Sequence, residues 1–233
     1  MNNTIERTDA NGLARFSALV YLYTGLGVAF WTLCAWALAK NQAFSMPLLR
    51  AASRHPFLAL IVALVIPIIL INLCNSLAQR SYFLTFACYL AFLATFSLLG
   101  IPLFYMYSTQ NIVQALATTS VIFIVMAGYG YLTKSDLMRW SKTLMLGLIA
   151  IIAVSILNLF FFKSAVAVLI MNVLSVIIFM GYIAFDSQNL KRIYQNVPAT
   201  SLGAVALVAS INLILDFINI LISILSIFGN NNN

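Results

Sequence analysis

From Arg15 to Gly229 the chain is a succession of apolar runs broken by short polar stretches, each run about as long as the roughly 20 residues a helix needs to cross a bilayer. Such runs leave little choice of structure. In lipid every backbone N–H and C=O must be satisfied within the protein, and an α-helix does this segment by segment. Composition agrees: 63% of the 233 residues are hydrophobic and only 7% charged, too few polar groups to cover a water-soluble domain of this size. The net charge of +7 does not point to nucleic acid, because the 12 Lys and Arg residues are scattered between the runs and form no basic stripe.

The breaks predict an all-α, polytopic membrane protein with seven transmembrane helices. Residues 1–14 read as a soluble N-terminal tail, 15–229 as the transmembrane domain and 230–233 as a disordered tail. Helix one runs from Arg15 to about Ala39. Its apolar run is longer than a signal-peptide core of roughly 7 to 15 residues, so it is expected to stay uncleaved. Gly25, Gly27 and Ala29 offer places where another helix can approach closely. A polar stretch with Lys40, Pro47, Arg50, Arg54 and His55 comes next. Helix two then runs from Phe57 towards Ala78, and Pro67 within it predicts a kink.

Helix three is expected from Tyr82 to Tyr107, with Pro102 near its far end, and helix four from Ile112 to Leu132. The hinge Thr133-Lys134-Ser135-Asp136 can cap the next helix, with Trp140 as an interface anchor. Helix five extends from Ser141 to Phe162, helix six from Ala165 past Phe185, and helix seven ends near Gly229. Cys34, Cys74 and Cys88 all fall in apolar runs without metal-ligand spacing and read as small buried hydrophobes. With the N-terminus inside, Arg7, Arg15, Arg80, Lys134, Arg139, Lys142, Lys191 and Arg192 lie on the inner side, against Lys40, Arg50, Arg54 and Lys163 outside. That excess predicts a cytoplasmic N-terminus.

Of the five acidic residues, only Asp186 and Asp216 lie within or beside apolar runs. An Asp at the centre of a membrane helix costs about 2.5 to 3.5 kcal/mol, so such a residue faces the bundle interior and needs a partner. If helices six and seven form an antiparallel hairpin, residues equidistant from the turn share a depth. The midpoint of 186 and 216 is Ser201, inside the polar Pro and Gly stretch, so each Asp is expected to meet the other. Helix seven adds Asn212, Asn219 and Ser223, spaced with Asp216 by 4, 3 and 4 residues on one face. That face cannot point at lipid, which places the last helix centrally within a wrap of six. Its Asn and Ser groups read as hydrogen-bonding glue between helices. Two carboxylates meeting in low dielectric resist ionising together and share a proton, a proton-linked switch. Arg80, at the inner end of helix two, either neutralises part of their charge or anchors the helix at the membrane surface.

Three segments resemble the Bax inhibitor-1, or transmembrane Bax inhibitor motif, family. Residues Tyr182-Ile183-Ala184-Phe185-Asp186-Ser187-Gln188-Asn189 are similar to its sixth-helix motif, Leu215-Asp216-Phe217-Ile218-Asn219-Ile220 to its seventh, and Gly128 to Leu137 to the hinge between its fourth and fifth helices. The resemblance implies seven helices with the last one central. It also implies a pH-sensitive calcium leak in which Asp186 and Asp216 form a proton-sensing pair that Arg80 can join. Bacterial relatives imply an alternative, a regulatory protein that binds and restrains a membrane-anchored AAA protease. The short uncharged C-terminal segment suggests a bacterial inner-membrane member. Expected partners are therefore the lipid bilayer, calcium or other cations and, on the alternative reading, such a protease, with no nucleic acid, no resident cofactor and no bound metal.

Enzymatic readings fare worse. An intramembrane aspartyl protease would need Gly-rich sequence before its second aspartate, and Asn212-Leu213-Ile214-Leu215 supplies none. The only histidine, His55, lies in a connection, away from any serine nucleophile a rhomboid-like enzyme would require. There is no P-loop, dinucleotide or zinc motif.

Overall fold

The computed structural model describes residues 10–229; most of the expected N-terminal tail, 1–9, and the expected C-terminal tail, 230–233, lie outside the described residues. The chain forms helices throughout: α1 (Ala10–Lys40), α2 (Gln42–Arg54), α3 (Pro56–Ala78), α4 (Tyr82–Ser97), α5 (Leu103–Met106), α6 (Thr109–Leu132), α7 (Ser141–Leu157), α8 (Ala165–Asn196) and α9 (Leu202–Gly229). Seven helical stretches are long and apolar enough to cross a membrane, and among the described residues no strand occurs. Residues 10–14, assigned to the tail from sequence, already belong to α1.

Three departures from the apolar-run reading have local causes. The polar stretch after Lys40 holds a helix, α2, too short at 13 residues to span the bilayer. It is tied down by Ser45, whose hydroxyl donates to Asn41 O at 3.0 Å and lies 2.7 Å from the Tyr105 hydroxyl. The third span is not one helix: α4 tightens into a 3-10 turn at Leu98–Gly100 before α5. Pro102 has no N–H to give and its ring crowds the carbonyl four residues back, so the α-helical ladder ends there. The fifth span ends in a π turn, Asn158–Phe162, closed by Lys163 in the left-handed region with φ 49°. Asn158 holds that end, its side-chain oxygen accepting from the Ser164 N–H at 3.0 Å. Pro67, by contrast, sits within α3 without ending it.

The described residues form two compact units, one of 10–106 with 193–214 and the other of 107–192 with 215–229. In the first, Trp31 of α1 is 1% exposed and donates its indole N–H to Phe96 O at 3.1 Å, while Phe92 stacks on Phe96. Of the three small residues expected to admit a neighbour, Gly27 does so: a Cβ there would strike the Tyr89 hydroxyl and Ile214. Gly25 and Ala29 are exposed and play no such part. In the second unit, Phe123 of α6 meets Phe217 of α9 edge-on at 5.9 Å. The last helix is the most buried: 67% of the residues in its apolar stretch are buried within the protein, and no other span exceeds 44%. It contributes its first half to one unit and its second half to the other.

Candidate functional site

The seam between α8 and α9 in the second unit gathers most of the buried polar groups that the sequence singles out. The carboxyl groups of Asp186 and Asp216 face each other within hydrogen-bonding reach. Asp216 is 5% exposed and Asp186 half-buried. An ionised carboxylate is acceptor-only, so a hydrogen bond between two carboxyl groups requires a proton on one of them. The ion pairs found among the described residues both go to Asp136 and not to the aspartate pair. The second oxygen of Asp216, Oδ2, is buried and makes no hydrogen bond among the described residues.

The seam continues away from the pair in antiparallel register. Ser223 donates to Ser175 at 3.0 Å, and one turn further Asn172 donates to Ser226 at 2.6 Å. Asn219 and Ser223 open onto a cavity of about 330 Å³ that is also lined by Asn158, Asn172 and Ser175. Polar side chains thus run along α9 from the carboxyl pair into a space wide enough for several waters.

Asn158, Asn172 and Ser175 were not singled out from the sequence. A signal was there: Asn172, Ser175, Phe179, Tyr182 and Asp186 succeed one another at steps of 3, 4, 3 and 4, one face of helix six. The two aromatic residues in the middle of that stripe hide its polarity. Asn212 departs from the expectation the other way. It shares the helix face of Asp216, Asn219 and Ser223, yet it is exposed, because spacing fixes which face a residue takes but not how far a neighbouring helix covers it. Arg80 sits in the turn after α3, exposed and outside the ion pairs among the described residues.

Two contacts hold Asp186 in place. On α6, Gly130 lies so close to α8 that an added Cβ would collide with the Ala184 carbonyl, two residues before Asp186. Two residues beyond it, Gln188 clamps the hinge between α6 and α7. Its amide oxygen accepts from the Leu137 N–H at 2.8 Å and its amide nitrogen donates to Ser135 O at 2.7 Å. Arg192, one turn on, reaches Asp136 of the same hinge at 3.3 Å. The Asp186 motif and the hinge motif, far apart in sequence, therefore form one structural unit.

Comparison with known proteins shows the family. The family model described as "Inhibitor of apoptosis-promoting Bax1" matches residues 13–233. The chain is 30% identical to the inner membrane protein YbhL of Escherichia coli K12 over 222 residues, covering 94% of this chain and 93% of that one. It is 31% identical to an uncharacterized membrane protein of Streptococcus pyogenes serotype M1, covering 99% and 100% of the two chains. An uncharacterized protein of Lactococcus lactis, YrjE, is 28% identical over 98% of this chain and 96% of its own. With the family model spanning nearly the whole length, this chain belongs to the Bax inhibitor-1 family of membrane proteins.

Proposed function

We propose that this protein is a pH-sensitive cation leak of a bacterial inner membrane, that calcium is its ion, and that Asp186 and Asp216 are its gate. The two carboxyl groups facing each other carry the reading. With one proton between them the two groups hold α8 to α9. When that proton leaves, two like charges face each other in a medium that screens them poorly, and either the helices part or a cation takes the proton's place. The Asn and Ser side chains of the adjoining cavity supply neutral oxygens that can exchange with an ion's hydration shell. The excess of positive charge in the inner connections supports a cytoplasmic N-terminus. Arg80, exposed at the end of α3, is read as a headgroup anchor and not as a member of the gate. The protein acts by conduction, not catalysis.

The test is calcium flux into liposomes holding the purified protein, with external pH stepped upward. A leak above that of empty liposomes, rising with pH as the shared proton is lost, is expected. Absence of flux at every pH, with a membrane-anchored AAA protease retained through purification, would instead support the regulatory reading.

A further inference from the structure

We propose that Cys74 and Cys88 are an oxidisable dithiol, a disulfide site built between α3 and α4. Their sulfurs lie 2.7 Å apart, and Cys88 Sγ also faces Leu70 O at 3.5 Å. The two meet for the reason that the aspartates meet: α3 and α4 form a tight antiparallel hairpin, and 74 and 88 are equidistant from Ser81 in its turn. Sequence spacing alone reads these cysteines as inert hydrophobes; the fold makes them neighbours. Cys34 stands apart on α1, half-buried, and serves as an internal control.

Both sulfurs are shielded, Cys74 with no exposed surface and Cys88 at 7%. Charged oxidants reach them slowly, whereas a small neutral peroxide enters. One thiol takes an oxygen from hydrogen peroxide to give a sulfenic acid and one water. The neighbouring thiol then displaces the hydroxyl as a second water, forming the S–S bond. Two S–H bonds break, and the two electrons pass to the peroxide. The sulfurs already face each other, so this reaction outpaces pairing with any other thiol. The product is a covalent staple across the hairpin whose turn carries Arg80.

The experiment uses the full chain in lipid nanodiscs, reduced, exposed to hydrogen peroxide, then denatured, alkylated and weighed intact and as peptides. The number of alkylated cysteines is expected to fall from three to one, leaving Cys34, with a peptide joining Cys74 to Cys88 that has lost two hydrogens. A Cys88→Ser protein should yield no disulfide-joined peptide under the same treatment, since an oxidised Cys74 has no neighbouring thiol to condense with. If that variant does not fold, the wild-type thiol count still decides. Survival of all three thiols at a peroxide dose that oxidises a model dithiol in the same nanodiscs would overturn the proposal. So would consumption of Cys34 ahead of the pair.

Discussion

An Asp216→Asn protein is expected to keep a cation leak but lose its dependence on pH. The amide still donates a hydrogen bond to Asp186 in place of the shared proton, so the seam closes much as before. What disappears is the titration. With one shared proton as the proposed gate, the wild-type response is expected to be limited to about tenfold per pH unit, since one unit corresponds to about 1.36 kcal/mol. The variant has one carboxyl left, no like charge opposite it, and no repulsion to release as pH rises. Its flux profile should be flat across a range in which wild type rises. The reciprocal Asp186→Asn should behave the same way, because the property belongs to the pair and not to either residue. A wild-type profile retained in either variant would remove the pair from the mechanism.

The second large effect is on folding. Gly130→Ala is expected to destabilise the protein by about 1–3 kcal/mol, read as a lowered unfolding temperature in detergent, because its methyl group would have to push against the backbone of α8 at Ala184. Backbone cannot yield as the end of a flexible side chain can. Gly128, two residues earlier on the same helix, has nothing within 4 Å of its added Cβ. There the same substitution should be neutral or stabilise by up to about 1 kcal/mol, as expected for replacing glycine in a helix interior. The pair of variants separates close helix approach from simple helix propensity. Equal behaviour at 128 and 130 would show that α6 does not rest on α8 as described.

What could be read from the sequence, and what could not, divides along physical lines. Apolar runs mark membrane helices because lipid imposes length and composition together, and all seven spans were legible for that reason. The meeting of Asp186 and Asp216 was legible because an antiparallel hairpin matches residues by distance from the turn. The same logic applied to 74 and 88 would have paired the cysteines, but buried thiols impose no polar demand that prompts the question. α2 was missed because a 13-residue helix carries no apolar run of membrane length, only short apolar stretches such as Met46 to Leu49 between polar residues. The break at Pro102 was not read from sequence because proline inside a membrane helix is often tolerated, as Pro67 within α3 shows. The exposure of Asn212 and the clamp made by Gln188 depend on which segments pack where, and no local pattern encodes that.

Everything proposed for the gate turns on Asp186 and Asp216 holding one proton that a cation displaces. Proton release answers it directly: calcium is added to the purified protein in weakly buffered solution, and the protons appearing in the medium are counted against protein concentration. Up to about one proton per chain is expected for wild type at saturating calcium, and none for Asp216→Asn. Calcium flux through wild type without any accompanying proton release would contradict the shared-proton gate.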